Sequence, residues 1–215
     1  MEKNNLMAEE EAKVLTWLFN PFHYIAGVWA LIIGIGLILI AGFIGSFGNW
    51  HFDGILDTHR YPPAPFWSFF ISGLMNWAIM GLLLTLAGMI TSKSRFRVVD
   101  VFGTQALARF PMIISTSILY IPAFNKFMEQ LLEHCFDTLD FILKNKGDFT
   151  LLLVVVILIL LMIIWMVYLM YQAFSVSCNV KGIKAITIFI AALVIGEIIS
   201  KVLFILIIHK NIILS

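Results

Sequence analysis

The chain has 215 residues, of which 61% are hydrophobic and only 13% are charged. A soluble domain is about 45–50% apolar and about 25% charged, so this composition excludes an ordinary water-soluble fold and indicates a protein solvated by lipid. The net charge of +1 gives no basis for nucleic-acid binding. The first partner that we expect is therefore the lipid bilayer.

The first 23 residues form a polar tail with one predicted helix. The segment "AEEEAKVLTWLF", residues 8–19, has acidic residues early and apolar residues late, and it ends before Asn20-Pro21. This order predicts an interfacial helix that leads into the membrane. The acidic start, with no small-residue cleavage site after the first apolar run, is not typical of a signal peptide. We expect residues 1–23 to be a retained cytoplasmic tail.

Five apolar segments are long enough to cross a bilayer, which takes about 20 helical residues. They run over Tyr24–Phe47, Phe66–Ile90, Ala108–Ile121, Leu151–Tyr171 and Ile183–Ile208. The third is the weakest, because Arg109 and Pro111 lie near its start and Pro122 interrupts any continuation to Phe127. The sequence thus predicts an all-α polytopic membrane protein, with residues 24–210 forming one bundle of five transmembrane helices.

The positive residues predict how this bundle is oriented. The second loop contains Lys93, Arg95, Arg97 and Arg109, whereas the first loop contains only Arg60. By the positive-inside rule the N-terminus is cytoplasmic and the C-terminus is outside, with eight of the fourteen lysines and arginines inside. The basic loop of Lys93, Arg95 and Arg97 is interpreted as a topology signal and headgroup anchor, or as a binding surface for a soluble partner.

The first outer loop, "NWHFDGILDTHRYPPAPFW" at residues 49–67, contains His51, Asp53, Asp57 and His59. Their nitrogen and oxygen atoms are suitable ligands for zinc or manganese, and the imidazoles could sense pH. The spacing matches no known ligand pattern, and Asp53-Gly54 is equally typical of a turn. A metal site, a pH sensor and an ordered polar loop all stay open. We expect the loop to cap the outer end of the bundle.

Glu197 and Lys201 are the most chemically distinctive residues in the predicted spans. They are four residues apart and therefore share one helix face, with glutamate in the favourable first position. Burying either charge alone in a membrane is expensive. The two residues are interpreted as a self-neutralising structural pair, or as a proton or ion relay. The first, second and fourth spans offer no ionisable partner for such a relay.

Residues 126–144 predict an amphipathic helix that extends the third span or lies along the outer surface. Its apolar residues recur at helical spacing. Its opposite face carries Glu129, Glu133, Asp137 and Asp140. This acidic stripe is interpreted as a solvated face, or as a surface for a cation or a partner.

Small residues in the first span predict close helix packing. They are Ala26, Ala30, Gly34, Ala41 and Gly45. Cys135 and Cys178 would lie on opposite sides of the membrane, which excludes a disulfide between them. The spans contain no nucleophile–base pair, phosphate-binding loop, dinucleotide fingerprint or haem-type histidine pair, so we expect no catalysis and no cofactor.

Two stretches carry a family resemblance. The third span is entered through "SRFRVVDVFGTQALARFPMIIS", and the last two spans are joined through "WMVYLMYQAFSVSCNVKGIKAITIF". Over about residues 17–208 the chain resembles the Yip domain family, the Ypt/Rab-interacting membrane proteins, and its bacterial branch in particular. The matching positions are Pro111, Trp165, Leu169, Ala173, Gly182, Lys184 and Ala185.

The resemblance implies a five-helix bundle with a cytoplasmic N-terminus, here in a bacterial cytoplasmic membrane. Eukaryotic members bind prenylated small GTPases and act in vesicle trafficking. This chain lacks their long N-terminal region and a clear "D-L-Y-G-P" segment, and both differences argue against GTPase binding. For the bacterial branch the resemblance implies no established molecular activity.

We therefore expect a non-enzymatic integral membrane protein that acts as a scaffold or membrane-organising module. Its partners would be other membrane proteins or further copies of itself. Two alternatives stay open. One is a small transporter or permease component that uses Glu197 and Lys201. The other is a metal- or pH-responsive sensor that uses residues 51–59.

Overall fold

The computed structural model describes residues 13–133 and 138–209, and most of them are helical. The helices are α1 at residues 13–19, α2 Gly27–Ser46, α3 Phe66–Thr91, α4 Val98–Leu107, α5 Pro111–Ile118, α6 Pro122–Glu133, α7 Thr138–Lys144, α8 Lys146–Cys178 and α9 Ile183–Leu203. A 3-10 turn at Pro21–His23 precedes α2, and a π-helical turn at Phe204–His209 follows α9. Two short strands, β1 Trp50–His51 and β2 His59–Arg60, pair antiparallel.

Four of the described helices are long and apolar enough to cross a membrane. They are Gly27–Ser46, Phe66–Thr91, Lys146–Cys178 and Ile183–Ile207. A fifth is counted only if the segment Val98–Ile118 and the helix Pro122–Leu131, which are bent by 71°, are taken as one span. The predicted helical membrane protein is therefore confirmed, with four spans or five.

The predicted third span, Ala108–Ile121, is wrong as a single helix. The chain is helical from Val98, turns at residues 108–110 and again at 119–121, and resumes each time at a proline. Pro111 and Pro122 lack the N–H group that would continue the preceding helix, but their fixed φ suits the first position of a new one. The described residues of the predicted helix over 126–144 are helical, in α6 up to Glu133 and in α7 from Thr138. Cys135 and Asp137 lie outside the described residues.

The predicted small-residue packing face of α2 is confirmed at four positions. These positions, Ala30, Gly34, Ala41 and Gly45, are buried. Ala26 precedes the helix and is exposed. The closest neighbour is α4, where a Cβ atom on Gly103 would lie 2.5 Å from the Gly27 carbonyl oxygen. The absence of a side chain on Gly103 therefore allows the two helices to touch through their backbones.

The N-terminal segment packs near α8. Residues 13–19 are helical, whereas residues 8–12 of the predicted interfacial helix lie outside the described part. Trp17 stacks on Tyr24 with ring centroids 4.8 Å apart, and Phe19 contacts Trp165 at 6.4 Å. Its position at a membrane interface stays a prediction.

Residues 92–97 and 179–182 lie at the same end of the bundle as the start of α2, and we call this the basic end. A Cβ atom on Gly27 would lie 3.3 Å from the Asp100 carboxylate, and one on Gly88 would lie 3.0 Å from the Phe96 ring. The first loop, residues 47–65, begins at the opposite end of the bundle. It follows the last residue of α2, and the full length of α2 separates it from Gly27.

Candidate functional site: a loop folded into the bundle

The first loop is part of the interior, so the prediction that it caps the bundle is wrong. Residues 51–55 are all buried, and Phe52 and Ile55 belong to the main apolar core. The apolar side chains of this loop favour burial. Its backbone is irregular, however, so its buried N–H and C=O groups have neither water nor helical hydrogen bonds as partners. They need hydrogen-bond partners from elsewhere in the protein. Polar side chains of α3 and α9 meet this need.

Asn76, in the middle of α3, provides the first anchor. Its side-chain Nδ2 donates to the carbonyl oxygens of Phe52 at 2.7 Å and of Gly54 at 2.6 Å. Leaving buried carbonyl groups without partners is costly, so a single buried amide stabilises the loop backbone at two carbonyl groups. Asn76 was not predicted from the sequence as a site residue. The available signal was an amide in an otherwise apolar span.

Arg109 is the second unexpected member of the site. Its guanidinium is only 2% exposed, and its Nη2 donates to the Asn76 backbone carbonyl at 3.1 Å. The interpretation of Arg109 as a charge of the second loop is therefore wrong. The turn between α4 and α5 carries it inside the bundle, where the negative charge of Glu197 attracts it electrostatically.

Glu197 and Lys201 form the predicted pair, with Nζ and Oε1 3.6 Å apart, but both also hold the loop. Glu197 Oε2 accepts a hydrogen bond from the Leu56 backbone N–H at 3.1 Å. The Lys201 ammonium pairs with the Asp57 carboxylate. Helix spacing alone gives no reason to connect the loop acids with the α9 pair. In fact they form one cluster, which we call the anchor cluster: Asn76, Arg109, Glu197, Lys201 and Asp57.

Two glycines allow this approach. A Cβ atom on Gly54 would overlap the Glu197 carboxylate, and one on Gly196 would lie 2.6 Å from the Ile55 Cδ1 atom. The absence of side chains on these glycines therefore leaves room for Glu197 and Ile55 where the loop and α9 meet.

Asp53 organises the return of the loop to the surface. His59 Nδ1 lies 2.9 Å from both Asp53 carboxylate oxygens, and the Tyr61 hydroxyl donates to Asp53 at 3.3 Å. Burial, reinforced by the negative charge of Asp53, raises the pKa of Tyr61 to about 12. Together with the β1–β2 pairing, these contacts close the loop.

His51 has a different environment from His59. Its ring is fully buried and stacks on Phe69 with centroids 4.1 Å apart, and neither ring nitrogen has a hydrogen-bond partner among the described residues. Burial lowers the pKa of His51 to about 4, although nearby Asp53 acts in the opposite direction. The imidazole is therefore a neutral core side chain at pH 7.

The four histidine and aspartate residues of the loop do not converge. His59 meets Asp53, Asp57 turns to α9, and His51 packs among rings. No group of three His, Cys, Asp or Glu residues within the described ranges could hold a metal ion. The geometry therefore does not fit the metal interpretation.

A cavity of about 280 Å³ lies beside the loop, between α5, α6 and α8. The loop lines it with polar side chains, Asp57, Thr58 and His59. Its walls are mostly apolar: Leu56, Met112, Leu119, Phe124, Met162 and Met166. It meets α8 around Met162, near the middle of that 33-residue helix. Polar groups of the loop thus reach the level of the middle of α8.

The other predicted surfaces remain outside this cluster. Lys93 and Arg95 are exposed, while Arg97 holds Asp100 through two contacts of 2.8 and 2.9 Å. These hydrogen bonds and the Asp100 charge raise the pKa of Arg97. Of the acidic stripe, Glu129 pairs with Arg60 at 3.1 Å, and Glu133 and Asp140 are exposed.

The positions that carry the family resemblance are mainly architectural. Pro111 begins α5, Gly182 precedes α9 with φ +80°, and the Trp165 indole donates to the Leu18 carbonyl at 3.1 Å. Leu169, Ala173 and Ala185 are buried, and Lys184 is exposed.

Comparisons with protein-family models, with curated proteins and with solved structures give no match. The resemblance to the Yip domain family therefore stays a prediction that rests on the residues quoted above. Any function must be argued from the anchor cluster and its cavity.

Proposed function

We propose that this chain is a non-enzymatic membrane-organising module that holds a lipid-like amphiphile in the cavity beside its inserted loop. The observation that carries the proposal is the two-sided lining of that cavity. Asp57, Thr58 and His59 bring polar groups to the lining, and methionine and leucine side chains make up much of its apolar part. A polar head beside the loop residues and a hydrocarbon tail along the apolar side chains fit this division.

The size of the cavity limits the occupant. Ligand pockets measure about 300–1,000 Å³, and 280 Å³ lies just below that range. The cavity thus accommodates a head fragment or part of one acyl chain. Ile159, Met162 and Ile163 line the cavity and are partly exposed at the surface of the bundle. The rest of the acyl chain would therefore continue past them into the bilayer.

The anchor cluster supports a role without catalysis. Asn76 and Glu197 each bond to loop backbone, and Lys201 neutralises two carboxylates. These groups are occupied in holding the fold instead of facing a substrate. Partners in the membrane, either other proteins or further copies of the chain, would then bind the protein with the amphiphile in its cavity.

Retained lipid tests this function. Met162→Trp fills the cavity, whereas Ile164→Trp adds the same ring to an exposed position on the same helix. After purification in mild detergent and solvent extraction, mass spectrometry should find at least twofold less lipid per protein for Met162→Trp than for Ile164→Trp. Equal lipid content in the two variants would contradict the proposal.

A small transporter is the second candidate. It is favoured by the charges of Asp57, Glu197 and Lys201 beside a broken helix, an arrangement that is typical of ion and substrate pathways. The enclosure of Glu197 by Gly54 and Leu56 argues against it, because the cavity lining includes Asp57 but not Glu197. Flux in vesicles that Glu197→Gln abolishes without unfolding the protein would favour transport.

We propose the bacterial cytoplasmic membrane as the location, with the basic end on the cytoplasmic side, because positive loops are retained there. A cysteine introduced at Ser94, in a chain with Cys135 and Cys178 replaced by alanine, should react with a membrane-impermeant maleimide only after cells are opened. Labelling in intact spheroplasts would reverse the orientation.

A further inference from the structure

A second cavity, of about 350 Å³, lies at the basic end of the bundle. It is bounded by the end of α3, the turn at Asn179–Val180 and the first turn of α9. Lys93, Lys181 and Lys184 line it, and no acidic residue does. Within the described residues, none of these three lysines forms an ion pair, whereas Arg97 nearby is neutralised by Asp100. The chain therefore brings three uncompensated ammonium groups to one concave surface.

The backbone fixes this arrangement. Asn179 and Gly182 both have positive φ, 50° and 80°, and they turn the chain sharply between α8 and α9. The turn places Lys181 and Lys184 on the same cavity as Lys93, which lies about 90 residues earlier in the chain. Charge repulsion among three lysines is unfavourable unless an anion joins them.

The position of the cavity along the membrane normal identifies the source of that anion. Three membrane-length helices begin or end here, at Thr91, Cys178 and Ile183, so the lysines lie at headgroup level. Two large apolar side chains, Ile90 and Ile183, are 82% and 81% exposed beside it. An anion held here would thus have hydrocarbon-binding surface directly adjacent, which free phosphate cannot use.

We infer that this cavity binds the phosphate headgroup of an anionic phospholipid through Lys93, Lys181 and Lys184, with the acyl chains lying along Ile90 and Ile183. The site is separate from the loop cavity and does not depend on the proposed function. Basic cavities between membrane helices suit anionic headgroups because several lysines act on one phosphate within a Debye length.

Electron paramagnetic resonance of spin-labelled lipid tests the site. The full chain is reconstituted in phosphatidylcholine vesicles with a small amount of spin-labelled phosphatidylglycerol or phosphatidylcholine, and the motionally restricted fraction is measured. Wild-type protein should prefer phosphatidylglycerol. Replacing Lys93, Lys181 and Lys184 together with glutamine should lower the relative affinity about tenfold or more, while replacing them with arginine should retain the preference.

The matched control replaces Lys126, Lys144 and Lys146 with glutamine, which removes the same charge from exposed positions elsewhere. This variant should keep the wild-type preference. An equal loss of the preference for phosphatidylglycerol in both glutamine variants would overturn the site, because it would indicate a general charge effect. Loss of the wild-type preference on adding inorganic phosphate, but not chloride of equal ionic strength, would overturn the assignment to lipid in favour of free phosphate.

Discussion

Glu197 shows how much the role of one residue depends on its surroundings. Helix spacing predicts its pairing with Lys201, and that pair is present. The same carboxylate also accepts the Leu56 N–H group, a contact across 141 positions that helix spacing does not reveal. At the residue scale, the charges in this membrane bundle serve the backbone of an inserted loop.

Gly54→Ala tests the contact between loop and α9. The added methyl group overlaps the Glu197 carboxylate, so it should displace the loop and lower stability by about 2 kcal/mol. Gly36→Ala is the control, because a Cβ atom there meets open space. Thermal unfolding in detergent should show a lower melting temperature for Gly54→Ala alone. A melting temperature equal to that of the wild type would contradict the packing described.

His51 should make the fold sensitive to acid. Its folded pKa of about 4 lies below the ordinary value of 6.5, so the unfolded chain binds a proton that the folded chain does not. Stability should therefore be full above about pH 6.5 and fall by up to about 3 kcal/mol as pH drops towards 4.

The His51→Phe variant keeps a ring on Phe69 and removes this titration, so its melting temperature should change less between pH 7 and pH 5. His23→Phe removes an exposed histidine from the 3-10 turn and serves as the control. If His51→Phe is as sensitive to acid as the wild type, His51 is not the group responsible.

At the scale of elements, α3 does more than span the membrane, because Asn76 fixes the path of the preceding loop. Asn76→Leu removes the donor to two carbonyl groups and should destabilise the protein by about 2 kcal/mol or more. Trypsin cleavage after Arg60, in the released loop, should accelerate.

Thr85→Val on the same helix is the matched control for this prediction. The Thr85 hydroxyl bonds only to the Gly81 carbonyl within α3, and that carbonyl keeps its helical partner. Its loss should change stability by less than about 1 kcal/mol. Similar cleavage rates for Asn76→Leu and Thr85→Val would show that the amide does not hold the loop.

The elements were predictable to the extent that local chemistry determines them. Long apolar runs predicted α2, α3, α8 and α9, because a membrane-length helix satisfies its own backbone. The path of the loop was not predictable, because it depends on partners in α3 and α9 that are distant in sequence. Arg109 was misassigned for the same reason: its sequence neighbours suggest a loop, and only the turn between α4 and the proline-initiated α5 carries it inward.

At the scale of the whole molecule, the described residues bring polar side chains together at two cavities. The anchor cluster and its cavity occupy the interior beside the first loop, and three unpaired lysines surround the cavity at the basic end. Apolar helix faces cover most of the remainder. This division is what we expect of a protein that organises lipid around a fixed bundle.

Exchanging the charges of Asp57 and Lys201 tests most directly whether the loop is built into the bundle. Asp57→Lys places two positive groups together, and Lys201→Asp places three carboxylates together, so each single variant should lower the melting temperature. The double variant restores opposite charges and should recover at least half of the summed loss. Losses that simply add in the double variant would show that loop and helix do not meet, and would contradict the account.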